Sequence, residues 1–171
     1  MKKWLVILVV VCSAVMVWAA PAKKTSSAVP QFKTTDLSGK TVTESVFKDY
    51  SVTMINIWAT WCSPCIRDMP ELASLPAMLP SKANMITLCI DATSDEGAES
   101  AKEIAASVNG TFTTLIPDTA LTSWLTSSIQ AVPTTIFVDS TGKILGQPIV
   151  GVPRGKAADE YLKHIQKLLA Q

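Results

Sequence analysis

The sequence has few cysteines and histidines that could bind a metal, and its net charge is close to zero. Its 171 residues include one histidine, His164, and four cysteines, of which only Cys62 and Cys65 lie close together. A structural zinc site needs about four ligands, so this supply argues against one. The formal net charge is only +1, which leaves no basic footprint for nucleic acid and no acidic tail. We therefore expect no metal, no other cofactor and no nucleic-acid partner.

The first 22 residues have the layout of a secretory signal peptide. Lys2 and Lys3 precede an apolar run over residues 4–18, and Ala20-Pro21-Ala22 follows as a small-x-small cleavage signal. The run is shorter than the roughly 20 residues that span a bilayer comfortably, so we favour cleavage over a membrane anchor. Either way, the folded part is expected outside the cytoplasm, in a periplasm or on the outer face of the cytoplasmic membrane. Residues 23–30 are rich in Lys, Thr, Ser and Ala, which is typical of a flexible tether.

The most informative stretch is residues 61–65, Trp-Cys-Ser-Pro-Cys. The apolar, β-branched segment 52–58 before it predicts a buried strand, and Pro64 predicts that a helix begins between the two cysteines. The positive end of a helix dipole lowers the pKa of a cysteine and favours its thiolate. A redox dithiol is the favoured interpretation of this pair, and a purely structural disulfide and a zinc site are the alternatives.

Strands alternate with helices along the rest of the chain. The predicted strands are 52–58, 85–90, 111–116, 134–138 and 144–150, and the predicted helices are 64–78, 98–108, 121–125 and 155–169. A turn at residues 36–40 between two short strands predicts a preceding hairpin. Cys89 lies in the continuous apolar run 85–90 and is expected to be a buried core residue. The pattern predicts one α/β domain over residues 31–171, with a mixed sheet flanked by helices.

Three groups of residues resemble the thioredoxin-like superfamily, and in particular its exported TlpA/ResA-type branch of bacterial thiol–disulfide oxidoreductases. The groups are Asn56-Ile57-Trp58-Ala59-Thr60-Trp61-Cys62-Ser63-Pro64-Cys65, Asp68-Met69-Pro70 and Val132-Pro133-Thr134. The resemblance covers about residues 30–171. It implies a thioredoxin-like fold with an N-terminal β-hairpin and a central βα insertion over residues 84–118.

The resemblance also implies a role for each residue of these groups. Cys62 is expected to be the exposed attacking thiolate and Cys65 the buried resolving thiol, the two forming a redox-active disulfide. Pro133 is expected to follow a cis peptide bond and to pack against the sulfurs, and Val132 to pair with a client peptide in a strand-like manner. The other residues expected to bind the client are Trp61, Ser63, Pro64 and Thr134.

Two positions depart from the related families. Asn56 stands where cytoplasmic thioredoxins carry a buried Asp, and it cannot relay a proton. Asp68 stands where TlpA/ResA-type proteins commonly carry a Glu. A carboxyl group near the sulfurs, with its pKa raised by partial burial, would accept the proton of Cys65. An ordinary first-turn acid would only stabilise the helix N-terminus. Both roles stay open for Asp68, because Asp is one methylene shorter than Glu.

The leading interpretation is a monomeric enzyme that reduces disulfides of extracytoplasmic proteins and is recharged by a membrane electron donor. A disulfide oxidase or isomerase would use the same dithiol with electrons flowing differently. A thiol peroxidase and a metal or haem chaperone are more distant alternatives. The segment 127–131 lacks the acidic, glycine-rich signature that cytochrome-c-maturation members often carry before the cis-proline, so that role is left open.

Overall fold

The computed structural model describes residues 27–171, so the predicted signal peptide or anchor and the start of the predicted tether lie outside the described residues. In the described part, no helix has the length and apolar character needed to cross a membrane. The end of the predicted tether is corrected. Val29 is buried, and its amide donates a hydrogen bond to the carbonyl of Gly142 at 2.9 Å. Residues 28–29 therefore belong to the folded unit, because an apolar side chain and backbone pairing hold them against it.

The predicted N-terminal hairpin is present. Its strands β1 (Lys33–Thr35) and β2 (Thr41–Thr43) pair in antiparallel fashion. The Asp36 side chain accepts hydrogen bonds from the amides of Ser38 at 2.9 Å and Lys40 at 3.0 Å, and Gly39 adopts a φ of 84°. An aspartate that bonds its own backbone and a glycine that tolerates positive φ are what a tight turn requires.

The central sheet has five strands in the order β5-β4-β3-β6-β7. They are β3 (Val52–Trp58), β4 (Ala83–Cys89), β5 (Thr113–Leu115), β6 (Thr134–Val138) and β7 (Ile149–Val150). Strands β3, β4 and β5 run parallel, whereas β6 pairs antiparallel with β3 and with β7. Every residue of the central strand β3 is buried, as expected for an apolar run covered on both faces.

Four α-helices of the described chain cover the two faces of the sheet. They are α1 (Ser63–Ser74), α2 (Asp95–Ser107), α3 (Thr119–Ser128) and α4 (Ala157–Leu169). Buried residues of α1, α2 and α4 share one core, and those of α3 share the other with residues that precede β3. The fold is thioredoxin-like, with a mixed central sheet between helices and the N-terminal hairpin added to it.

Side chains of β3 alternate between the two cores. Met54 and Trp58 lie in the core with α1 and α4, and Ile55 and Ile57 lie in the core with α3. Successive residues of a strand point to opposite faces, so Asn56 faces the α1 and α4 layer. Trp58 is fully buried, which agrees with its expected place in the core.

Several predicted elements are shorter in the structure, including β5, which covers Thr113–Leu115 of the predicted 111–116, and α4, which starts at Ala157 rather than at residue 155. The helix predicted over 64–78 ends as α1 at Ser74 and continues as a 3-10 turn at Leu75–Met78. The strand predicted over 144–150 is reduced to Ile149–Val150, with an isolated bridge from Ile144 to Val138. Gly146 has a φ of 64°, and Pro148 has no N–H to donate, so neither suits a continuous strand.

Candidate active site

Cys62 and Cys65 form a disulfide between the end of β3 and the first turn of α1, with their Cα atoms 5.2 Å apart. Cys62 is the N-cap of α1, and its Sγ accepts a hydrogen bond from the amide of Cys65 at 3.2 Å. The first amides of a helix and its dipole both favour negative charge at this point. A thiolate formed at Cys62 on reduction would therefore be stabilised by the start of α1.

The disulfide lies just beneath an exposed rim. Cys62 is only 4% exposed and Cys65 is buried, whereas Trp61 is 68% exposed and Ser63 and Pro64 are exposed beside it. The expected exposure of Cys62 is thus not found in this oxidised state, because its sulfur is bonded to Cys65 and turned towards the helix amide. The exposed position of Trp61 agrees with its expected place on a docking surface.

The loop before β6 contains the cis peptide bond that was expected, between Val132 and Pro133. The amide of Gly151 donates to the carbonyl of Pro133 at 2.8 Å, which ties the loop to the start of β7. Thr134 was expected on the client-binding surface, but it is buried and its hydroxyl donates to the carbonyl of Ala131 at 2.7 Å. Thr134 therefore shapes the loop from within, since its hydroxyl is used to close it.

An apolar groove runs between the exposed Trp61 and the loop that ends at Val132. It has a volume of about 300 Å³ and no charged residue in its lining. Besides Trp61 and Val132, the lining consists of Ile90, Thr122, Leu125, Thr126, Ile129, Gln130 and Ala131. The sequence interpretation missed the contribution of α3 to this groove. The sequence of a short amphipathic helix does not show which of its residues will line a groove next to a motif far away in the chain.

Asp68 is buried in α1, and only 2% of it is exposed. Its Oδ2 accepts a hydrogen bond from the hydroxyl of Tyr161 in α4 at 2.9 Å, and its Oδ1 has no partner among the described residues. Burial raises the pKa of Asp68 above its usual range. The bond from Tyr161 lowers it and the charge of Glu71 raises it further, with the net effect upward. A buried carboxyl with a raised pKa is equipped to hold and release a proton.

A second carboxylate, Asp91, follows β4 beside the same motif. It accepts hydrogen bonds from the Thr60 amide at 3.0 Å, from the Thr60 hydroxyl and from the thiol of Cys89 at 3.2 Å. Burial alone would raise the pKa of Asp91, but the bonds from Thr60 and Cys89 outweigh it and lower the pKa. Sequence interpretation gave Asp91 no role, although its position directly after a parallel strand was a usable signal.

The remaining cysteine and histidine lie apart from the disulfide. Cys89 is a free, buried thiol, as expected, and burial raises its pKa far above the usual range. His164 stacks on Phe137 with ring centroids 4.5 Å apart, and burial, helped by the charge of Lys167, lowers its pKa. Among residues 27–171, no group of three or more His, Cys, Asp or Glu side chains is arranged to hold a metal ion.

A family model described as Redoxin matches residues 24–164, which is most of the chain. The chain belongs to the Redoxin family. Within it, the chain is a thiol–disulfide oxidoreductase of the TlpA/ResA type, as the motifs predicted.

Similar proteins of known name agree with this assignment. The thiol-disulfide oxidoreductase ResA of Bacillus thuringiensis subsp. konkukian is 32% identical over 136 residues, covering 80% of this chain and 75% of the relative. A thiol:disulfide interchange protein DsbE homologue of Paracoccus denitrificans is 27% identical over 153 residues, covering 89% and 81%. The crystal structure of a thiol:disulfide interchange protein of the thioredoxin family from Chlorobium tepidum covers 85% of this chain and 98% of its own, with a TM-score of 0.65 at 21% identity. That likeness shows the fold.

Proposed function

We propose that this thiol–disulfide oxidoreductase reduces disulfides of extracytoplasmic client proteins, with Cys62 as the attacking and Cys65 as the resolving residue. The observation that carries the proposal is the position of the disulfide. It caps the N-terminus of α1, directly beside the exposed Trp61. A thiolate at such a helix start is a nucleophile near neutral pH.

The reaction needs no reagent beyond the two cysteines and the client disulfide. In the reduced enzyme, the Cys62 thiolate attacks one client sulfur, and the other client sulfur leaves as a thiolate that takes a proton from water. Cys65 then loses its proton, and its thiolate attacks the Cys62 sulfur, so the first client sulfur leaves in turn. Two electrons pass from the dithiol to the client, and the Cys62–Cys65 disulfide remains. A membrane dithiol donor recharges the enzyme by the reverse steps.

Asp68 is proposed as the group that takes the Cys65 proton. Cys65 and Asp68 lie three residues apart in α1, which places their side chains on the same helix face. Both are buried, and the pKa of Asp68 is raised, chiefly by burial. General acid–base catalysis works best when the pKa of the group lies near the working pH, so a raised carboxyl suits this transfer better than an ordinary surface acid.

The client is proposed to lie across Trp61, Ser63, Pro64 and Val132. Within residues 27–171, the backbone amide and carbonyl of Val132 have no hydrogen-bond partner, so both are free to pair with an extended client segment. The uncharged groove between Trp61 and Val132 would hold an apolar client side chain next to the attacked disulfide.

The location and the client class are part of the proposal. The basic, apolar and small-residue segments at the N-terminus support export, with cleavage or with retention as an anchor. Apocytochromes c are included among the proposed clients because the resemblance is to a branch with cytochrome-maturation members. Their haem-attachment segment carries two cysteines in a C-x-x-C-H motif, which forms a disulfide of the kind reduced here.

Trapping of the mixed disulfide tests the proposal. Cys65→Ala removes the resolving thiol, so the full chain expressed in its native host should accumulate disulfide-linked partners through Cys62. The double variant Cys62→Ala/Cys65→Ala is the matched control and should trap none. Mass spectrometry of the captured peptides identifies the clients, and a C-x-x-C-H peptide among them supports the apocytochrome class. Equal capture by the double variant, or none by Cys65→Ala, would overturn the assignment of Cys62.

The direction of electron flow has its own test. The purified protein is equilibrated with mixtures of reduced and oxidised glutathione, and the fraction of the Cys62–Cys65 disulfide is measured by alkylation. A reductase should stay oxidised except in strongly reducing mixtures. A dithiol that becomes fully reduced in mildly oxidising mixtures would instead indicate an oxidase or isomerase.

A further inference from the structure

The Asp68 carboxyl group is held from one side only. Tyr161 donates to Oδ2 at 2.9 Å, and the buried Oδ1 has no partner among the described residues. Oδ1 is therefore the oxygen left available for a proton. Asp68 and Tyr161 are 93 residues apart in sequence and meet where α4 packs against α1.

On the side of the sheet, a hydrogen-bonded pair of side chains acts on the Tyr161 hydroxyl. Asn56 in β3 lies opposite Thr135 in β6, and its Nδ2 donates to the Thr135 hydroxyl oxygen at 2.9 Å. An amide nitrogen can only donate, so the hydroxyl proton of Thr135 stays free for a further acceptor. Thr135 also acts on the Tyr161 hydroxyl from the sheet: burial raises the pKa of Tyr161, whereas Thr135 lowers it, as a group that donates to the phenol oxygen would. Tyr161, accepting from Thr135, then has its own proton for Asp68.

We propose that Tyr161 is a positioning residue that holds Asp68 by Oδ2, so that Oδ1 is the atom that exchanges a proton with Cys65. Thr135 and Asn56 fix the orientation of the Tyr161 hydroxyl. The inference rests on the proposed proton transfer by Asp68 and adds the groups that aim the carboxyl group. Asn56 thus has a structural role, because its Nδ2 donates the hydrogen bond that orients Thr135.

The transfer balances in both directions. Below the folded-state pKa of Asp68, Oδ1 carries the proton in the oxidised enzyme. When a donor thiolate attacks Cys62, Cys65 leaves as a thiolate and takes the proton from Oδ1, and the resulting carboxylate of Asp68 is stabilised by the bond from Tyr161. During client reduction, Oδ1 takes the proton back from Cys65.

Among the described residues, no cation contributes to the pKa of Asp68. Within the described residues, neither of the two ion pairs involves Asp68. The groups facing it are Tyr161 from α4 and Glu71 from its own helix, and the Glu71 carboxylate also accepts the amide of Ala158 at 3.2 Å. The strands contribute only uncharged side chains to the chain of bonds. In the part of the chain that the structure describes, the hydrogen bond from Tyr161 is thus the one contact that favours the charged form of Asp68.

Tyr161→Phe tests the inference, because it removes the hydroxyl and keeps the ring. The rate at which dithiothreitol reduces the Cys62–Cys65 disulfide is measured across pH by acid quenching and alkylation, and is divided by the fraction of dithiothreitol thiolate. The rate should fall where Asp68 loses its proton. Tyr161→Phe should move that midpoint upward by about one pH unit, since the carboxylate loses a hydrogen bond. Tyr50→Phe, the change of the only other tyrosine, should leave it in place.

Asp68→Asn separates the inference from the function on which it rests. This variant should lose the pH step, and Tyr161→Phe added to it should cause no further shift. If Asp68→Asn keeps the step, the proton transfer by Asp68 fails and the inference fails with it. If Asp68→Asn removes the step but Tyr161→Phe leaves the midpoint unchanged, the inference alone fails.

Thr135 provides a second variant in case Tyr161→Phe folds poorly. Thr135→Val removes the hydroxyl that orients Tyr161 and should move the midpoint upward by less than Tyr161→Phe does. Thr135→Ser restores a hydroxyl and should return the midpoint to the wild-type value. A role in packing alone predicts the same midpoint for all three proteins, and that result would overturn the inference. Urea denaturation confirms that each variant is folded at the pH values used.

Discussion

Two aspartates beside the same cysteine motif have opposite environments. Asp68 is buried in α1, where residues 27–171 provide one donor, Tyr161, to its Oδ2 and none to its Oδ1. Asp91 is less buried and receives hydrogen bonds from the amide and hydroxyl of Thr60 and from Cys89. Burial raises the pKa of Asp68, whereas for Asp91 the bonds from its donors outweigh burial and lower the pKa.

The number of donors therefore decides what each carboxyl group can do. A carboxylate with several donors keeps its charge through the working pH range, whereas a buried one with a single donor can exchange a proton there. Asp91 is suited to a fixed structural charge. It holds Thr60, and hence the segment that leads from β3 to Cys62. Asp68 is suited to transient protonation beside Cys65.

The largest expected difference between the two sites is in folding stability at pH 7. Asp91→Asn should lower the free energy of unfolding by about 2 kcal/mol, because charge-assisted bonds to Thr60 and Cys89 are lost. Asp68→Asn should raise it, because the aspartate is ionised in the unfolded chain at pH 7 and folding must either protonate it or bury its charge, whereas a neutral amide carries neither cost. Urea denaturation at pH 7 measures both values.

A surface acid serves as the control for this pair. Asp95 is exposed in the first turn of α2, and Asp95→Asn should change the free energy of unfolding by no more than about 0.5 kcal/mol. Losses of similar size in Asp68→Asn and Asp91→Asn would show that the two carboxyl groups are equivalent, against the comparison drawn from their donors.

The pH dependence of stability should differ in sign between the two sites. Asp68 has a raised pKa in the folded state, so its contribution is fully present below about pH 3.9 and is lost as the pH rises through the folded pKa. Asp91 has a lowered folded pKa, so its contribution is present above about pH 3.9 and is lost as the pH falls through the folded value.

Urea titrations of wild type and the two Asn variants from acid to neutral pH measure these contributions. The advantage of Asp68→Asn over wild type should grow as the pH rises. The deficit of Asp91→Asn should shrink at the acid end. Parallel stability curves for wild type and Asp68→Asn would mean that the pKa of this carboxyl group is not raised by folding.

Much of the fold followed from local patterns. The apolar run of β3, the proline between the cysteines and the serine cap of α2 each specify an element without help from distant residues. The start of β7 was predicted too early. The segment 144–150 was taken as one strand, although it contains Gly146 and Pro148, which both interrupt strand pairing.

The candidate site was only partly predictable, because its polar contacts join distant parts of the chain. Cys62, Cys65 and the cis bond before Pro133 were found from the motif and the resemblance. The hydrogen bond between Asp68 and Tyr161 depends on how α4 packs on α1. In the sequence, Tyr161 is one of several residues on the apolar face of α4, and nothing there distinguishes it from an ordinary core residue. The Thr60–Asp91 contact depends in the same way on the ends of two parallel strands lying side by side.

Within the two sites, the smallest expected effect concerns Cys89, whose thiol donates to Asp91. Cys89→Ala removes one of three donors and a small buried side chain, so it should lower the free energy of unfolding by about 1 kcal/mol. It should leave the pH step of disulfide reduction unchanged, because Asp68 keeps Tyr161. Alkylation of the native oxidised protein should leave Cys89 unmodified, since burial raises the pKa of its thiol. A mixed disulfide through Cys89 in the Cys65→Ala variant would contradict its role as an unreactive buried donor to Asp91.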